Sequence, residues 1–145
     1  ETYVQLGRQG VNLEGSLLKP NMVLSGKDAH NRASAEEVAE KTITCFSRAV
    51  PAAVPGVVFL SGGQSDEEAT VNLNAINQLA ATVGVPWQMS FSYGRGLQAA
   101  PLNAWGGQAG NLEKASRAYY HRTRVTGAAR RGEYSTAMGR DIAAD

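Results

Sequence analysis

The sequence holds a single cysteine, Cys45, in 145 residues. One thiol cannot close an internal disulfide, so a disulfide scaffold is excluded and a reducing compartment is allowed. Long apolar runs are missing too. None approaches the roughly 18 residues that a membrane-spanning helix needs, and the N-terminus has no signal-peptide pattern. Neither charge sign dominates: 14 Lys+Arg stand against 13 Asp+Glu, a net charge of +1. That is no electrostatic footprint for DNA or RNA. His30 and His121 lie far apart without metal-ligand spacing, and Cys45 has no nearby histidine, so Cys45 reads as a core residue.

What is present is ordinary for a globular chain. The hydrophobic share is 43% and the charged share 19%, which argues against disorder. Glycine stands out at 16 residues, above the typical share of about 7%, and points to several turns or close backbone approaches. The length is that of one domain, able to bury roughly 70% of its unfolded surface. The first residue is Glu1 rather than methionine, so the chain is expected to be a piece of something longer.

Hydrophobic spacing predicts alternating strands and helices. Residues 11–19, VNLEGSLLK, read as a strand that Pro20 ends, followed by a loop over 20–33. Ser34 with Glu37 is a capping-box pattern. It opens a helix whose apolar face is Ala35, Val38, Ala39, Thr42, Ile43 and Phe46, and which ends before Pro51. Pro55-Gly56 reads as a turn, and residues 57–61, VVFLS, as a strand buried on both faces. Ser65 with Glu68 caps a second helix to about Ala81, with Ala69, Leu73, Ile76 and Ala80 inward, and Gly84 ends it. Residues 86–93 form a third strand, 96–105 a short helix and 111–131 a last helix with a basic second half, read as a solvated face. Residues 132–145 read as a loose tail. This βα repeat predicts a parallel sheet with right-handed crossovers, and function at the carboxyl ends of the strands.

Those ends carry Lys19, Ser61-Gly62-Gly63 and Ser92-Tyr93-Gly94-Arg95. Lys19 is either a solvated strand-end lysine or, if partly buried, a nucleophile. Lost hydration lowers the ammonium pKa, and the free amine can attack a ketone to form a Schiff base. The Ser61-Gly62-Gly63 turn, between a strand and a helix start, is either a tight βα turn or an anion site. Arg95 can clamp phosphate oxygens from the next loop. Glu14 has the opposite strand parity to Lys19 and is expected to face away from it.

These residues resemble a known family. VNLEGSLLKPN (11–21) looks like the active-site signature of class I fructose-bisphosphate aldolases. FLSGGQSDEEAT (59–70), LNAIN (73–77), FSYGRGLQA (91–99) and AWGG (104–107) look like the same family, in the same order, and the likeness runs over about 10–136. It implies an α/β fold, the (β/α)8 TIM barrel, of which this chain supplies the last three βα units. Residues 1–131 are then the C-terminal part of the barrel domain and 132–145 a tail. The resemblance also implies cleavage of fructose 1,6-bisphosphate to dihydroxyacetone phosphate and glyceraldehyde 3-phosphate. Lys19 would be the Schiff-base residue, with no metal or other cofactor. Leu60 (backbone), Ser61, Gly62, Gly94 and Arg95, with Ser92 assisting, match the positions that hold the ketose phosphate. The family is typically a homotetramer in the cytoplasm, or in plastids of plants and algae, and binds sugar phosphates rather than nucleic acid or membrane.

The chain departs from the family in three places. The acid–base residues and second lysine of the family lie on earlier strands without counterpart here, as does the far phosphate site. The end at Asp145 lacks the terminal tyrosine of vertebrate members, and Leu24-Ser25 replaces the Thr-Pro common in the family after the KPNMV motif. Two other readings stand beside the enzyme. One is a catalytically incomplete module that binds phosphate or a protein partner. The other is a different lysine-dependent barrel aldolase of the transaldolase type, against which the ordered SGGQS and SYGR segments argue.

Overall fold

A computed structural model describes residues 1–140. Three short strands, β1 (Leu17–Leu18), β2 (Gly56–Phe59) and β3 (Gln88–Phe91), form one sheet in chain order. Both pairings are parallel, with Leu18 opposite Val57 and Val57 opposite Met89. Helices α2 (Ala35–Ala49) and α3 (Asp66–Val83) connect the strands. Two further helices, α4 (Arg95–Trp105) and α5 (Leu112–Arg130), follow β3. Short helices α1 (Thr2–Arg8) and α6 (Thr136–Arg140) flank the unit.

The expected alternation and parallel sheet are therefore present. Strand lengths differ from expectation. The strand expected over 11–19 contracts to two residues because its polar side chains bond locally. The Glu14 N–H donates to Asn12 Oδ1 at 3.0 Å, and the Ser16 hydroxyl donates to the Leu13 carbonyl at 2.7 Å. Such bonds compete with a sheet ladder, and Leu13–Gly15 forms a 3₁₀ turn. Glu14 thus sits on a turn, and strand parity says nothing about where it faces. The strands expected at 57–61 and 86–93 are Gly56–Phe59 and Gln88–Phe91. Gly56 opens β2 rather than making a turn. A Cβ there would lie 3.0 Å from Leu17 Cδ2 and 3.4 Å from the Gln88 carbonyl oxygen, so the close strand packing needs glycine.

The core lies between the sheet and α2, α3 and α5. Val57 and Phe59 of β2 are fully buried with Leu73 and Ile76 of α3 and Val125 of α5. The Phe46 ring stacks on Phe59 at 5.8 Å and meets Trp87 edge-on at 6.3 Å, geometries that aromatic quadrupoles favour. The Trp87 indole N–H donates to the Pro51 carbonyl at 3.0 Å, so its polar end is satisfied. The rows Leu18–Val57–Met89 and Phe59–Phe91 all belong to or pack on this core. The alternate rows, Leu17–Gly56–Gln88 and Val58–Ser90, lie on the other face, which the helices do not cover. Leu17 there is 64% exposed.

Three further expectations are corrected. Cys45 is exposed. The inward stripe of α2 is Val38, Ala39, Thr42, Ile43 and Phe46, and position 45 falls outside that helical period. The basic half of α5 is not wholly solvated, because Arg122 is buried. The part of the tail that is described is held in place. The Tyr134 N–H donates to Asn74 Oδ1 at 2.9 Å, Gln78 Nε2 donates to the Gly132 carbonyl at 2.9 Å, and Tyr134 packs on the core. Residues 141–145 of the tail lie outside the described residues.

The second capping box closes fully. The Glu68 N–H donates to Ser65 Oγ at 3.1 Å and the Ser65 N–H donates to Glu68 Oε2 at 2.7 Å. At the first, the Glu37 N–H donates to Ser34 Oγ at 3.3 Å. The Ser65 N–H holds the Glu68 carboxyl below its ordinary pKa. Replacing Ser65 with alanine should destabilise the chain by about 1 kcal/mol in urea unfolding. Because the Glu68 carboxyl has a lowered folded pKa, its contribution is present above the unfolded value and lost as pH falls through the folded one. The stability gap between wild type and Glu68→Gln should therefore narrow on acidification below about pH 4.

Candidate functional site

A parallel sheet brings all its carboxyl ends to one edge. Lys19 follows β1, Leu60-Ser61-Gly62 follows β2 and Ser92-Tyr93-Gly94-Arg95 follows β3. Backbone hydrogen bonds extend the ladder past the strand ends. The Leu60 N–H donates to the Pro20 carbonyl at 3.0 Å and the Ser92 N–H to the Phe59 carbonyl at 2.8 Å. If the strand alternation continues through these residues, Lys19, Leu60 and Ser92 fall on the face of Leu17, Val58 and Ser90, the one free of helices. Asn21 ties two of the loops together: its side-chain amide donates to the Gly62 carbonyl at 3.2 Å.

The turn after β2 is shaped by its glycines. Gly63 has φ of +80°, a left-handed conformation that glycine adopts without strain. A Cβ on Gly62 would come within 3.0 Å of Leu60 Cδ1. The two helices that leave this edge start differently. The start of α3 is closed by its own capping box. The start of α4 has Gly94 as N-cap and no side-chain cap. Its first-turn N–H groups therefore lack a side-chain acceptor, and the helix dipole favours an anion there. Arg95 is the first residue of that helix and is exposed, so a cation stands beside this start. The beginning of α4 lies against the β2 turn: a Cβ on Gly96 would stand 3.2 Å from Ser61 Oγ and 3.2 Å from Tyr93 Cδ2.

Lys19 differs from the expected partly buried amine, because it is exposed. Among the described residues β1 has a neighbour on one side only, so nothing they contain covers Lys19.

The chain as a whole is matched among known proteins. The family model described as "Glycolytic: Fructose-bisphosphate aldolase class-I" covers residues 1–145. The chain belongs to the class I fructose-bisphosphate aldolases. A non-muscle-type aldolase of the lamprey Lethenteron camtschaticum is 52% identical over 133 residues, 92% of this chain and 36% of the relative. A cytosolic aldolase of Arabidopsis thaliana is 52% identical over 132 residues, 91% of this chain and 33% of the relative. Among solved structures, the Plasmodium falciparum aldolase in complex with TRAP and a small-molecule inhibitor is similar with a TM-score of 0.86. It is 47% identical, and the match covers 92% of this chain and 38% of that one. The chain thus spans about a third of the length of the curated relatives it matches. The fold is that of the aldolase barrel, and the three parallel βα units are part of its (β/α)8 architecture.

Several residues of this edge were not singled out by the sequence. Asn21 lies inside the quoted KPN segment, but its bond to the Gly62 carbonyl spans 41 positions and leaves no local pattern. The Tyr93 hydroxyl is buried and donates to the Ala69 carbonyl of α3 at 2.9 Å. Burial pushes its pKa well above the usual tyrosine value, with Arg122 opposing in part, so it stays a neutral donor. Among the described residues no group of three or more His, Cys, Asp and Glu is placed to hold a metal ion. Likewise, no described helix is long and apolar enough to cross a membrane.

Gly96 gives a direct check on how tightly the two loops meet. Gly96→Ala places a methyl against Ser61 and Tyr93, neither of which is a flexible side-chain end. The variant should lose about 1–3 kcal/mol of stability in chemical denaturation, the usual range for overpacking.

Proposed function

We propose that this chain forms the ketose-phosphate half of an aldolase active site. Lys19 is the Schiff-base residue. Leu60 (backbone), Ser61, Gly62, Ser92, Gly94 and Arg95 hold the phosphate. The observation that carries the reading is the common edge: Lys19, the Ser61–Gly63 turn and the uncapped start of α4 with Arg95 follow three adjacent parallel strands. The substrate class is a phosphorylated ketose, fructose 1,6-bisphosphate in the whole enzyme.

The chemistry follows from an amine beside an anion site. The phosphate, held by backbone N–H groups and Arg95, brings the ketone carbon to the Lys19 amine. Addition and loss of water leave an iminium. When the neighbouring C–C bond breaks, its electron pair enters the iminium to give an enamine, and the other half leaves as an aldehyde. The hydroxyl proton released with the aldehyde needs a base, which the family resemblance assigns to earlier strands. Turnover therefore requires the whole barrel. The same resemblance supports a homotetrameric, cytoplasmic enzyme that works without a metal.

That the chain spans about a third of its relatives' length favours a second reading for the 145 residues in isolation. On this reading they bind phosphate, or a protein partner, without turning substrate over. Borohydride trapping with dihydroxyacetone phosphate on the isolated chain separates the two, since label on Lys19 excludes a binding-only role.

The main test is borohydride trapping with dihydroxyacetone phosphate on the full-length protein, followed by peptide mapping. Label is expected on Lys19, and Lys19→Met should abolish both label and cleavage. Label on any other lysine would overturn the assignment.

A further inference from the structure

Arg122 is the one buried arginine of α5 among the described residues, and its bonds run to two other helices. Its Nε donates to the Gly96 carbonyl of α4 at 2.9 Å. Its Nη2 donates to the Asp66 carbonyl at 3.0 Å and to Thr70 Oγ1 at 3.0 Å, both on α3. The Asp66 carboxylate lies 3.8 Å from Nε and balances the charge. The acceptors have a common location. Asp66 is the first residue of α3 and Gly96 the second of α4. Each helix leaves a loop of the phosphate edge: Ser61–Gly63 precedes α3, and Gly94-Arg95 opens α4.

A cation beside two helix starts is disfavoured by both helix dipoles. It is held there by three hydrogen bonds and a carboxylate, and a charged group so placed raises the positive potential where an anion would sit. The geometry uses the guanidinium as a planar fork: separate nitrogens reach separate helices, which a single ammonium cannot reproduce. The Tyr93 hydroxyl, on Ala69, makes a second tie between the β3 end and α3.

We propose that Arg122 is a positioning residue for phosphate recognition. From α5 it fixes the spacing between the starts of α3 and α4, and hence between the Ser61–Gly63 turn and Arg95. The inference rests on the ketose-phosphate reading above, and its test separates the two. Schiff-base formation is measured on the full-length protein with dihydroxyacetone phosphate and with dihydroxyacetone, and the ratio of the two rate constants is the readout. A purely structural role lowers both rates and leaves the ratio alone. Positioning lowers the ratio.

Arg122→Lys keeps the charge but loses the fork, and should lower the ratio by about tenfold, near 1.4 kcal/mol. Thr70→Val removes one acceptor at similar volume and should lower it less, in the same direction. It also serves if Arg122→Lys fails to fold. Arg95→Ala reports on the underlying reading. If Arg95→Ala leaves the phosphate preference intact, the ketose-phosphate reading itself fails. If Arg95→Ala collapses the preference while Arg122→Lys and Thr70→Val keep the wild-type ratio, the positioning role alone is wrong. Failure of both Arg122→Lys and Thr70→Val to fold would assign Arg122 to stability and overturn the proposal.

Discussion

Parallel pairing of β2 with both neighbours is the constraint on which the rest depends. Among the described residues, Gly56–Phe59 is the only strand with a partner on each side, and its register sets both ladders. Parallel strands send their carboxyl ends the same way. Loops far apart in sequence, at 19–21, 60–63 and 92–95, therefore meet at one edge. The register also divides the sheet into two faces. Val57 and Phe59 anchor the helix layer, and the opposite rows carry the alternation on toward Lys19, Leu60 and Ser92. A slip of one residue would turn every side chain to the other face and send Lys19 into the core.

Charge and polarity at this edge are organised through the helix starts. At the start of α3 the Glu68 and Ser65 N–H groups are taken up by the reciprocal Ser65–Glu68 box. α4 begins on a glycine that offers no side chain. The two starts are thus unequal, one closed and one open to an anion. Arg122 and Tyr93 cross between them from α5 and from the end of β3. The buried guanidinium finds oxygen acceptors on both helices and a carboxylate close by, which is what permits a charge to sit so far from water. Stability and site geometry share the same bonds here.

Much of this was legible in the sequence, for identifiable reasons. The second helix was readable because Ser65 and Glu68 sit at capping spacing before an apolar stripe that Leu73 and Ile76 continue. β2 was readable because VVF is a short apolar run, and its burial follows from its central place. The family was readable because long ordered segments such as VNLEGSLLKPN and FLSGGQSDEEAT carry far more information than a lone glycine pattern. Other features were not readable. The short first strand turned on Asn12 and Ser16 bonding locally rather than on the apolar pattern around them. The α1 helix escaped as well, and so did the anchored residues after 131, whose order comes from contacts with distant residues such as Asn74 and Gln78.

The sequence by itself determined the βα order, the caps, the buried central strand and membership of the aldolase family. Each is written in neighbouring residues, as spacing, propensity or motif. Only the tertiary structure decided which side chains are withdrawn from water and which loops touch. Lys19 is exposed because, among the described residues, β1 has a neighbour on one side only. Arg122, one arginine among several on α5, is buried because the starts of α3 and α4 converge on it with oxygens in reach of its fork. Such convergence spans up to 56 positions, and no local pattern encodes a contact between residues that meet only after the sheet has formed.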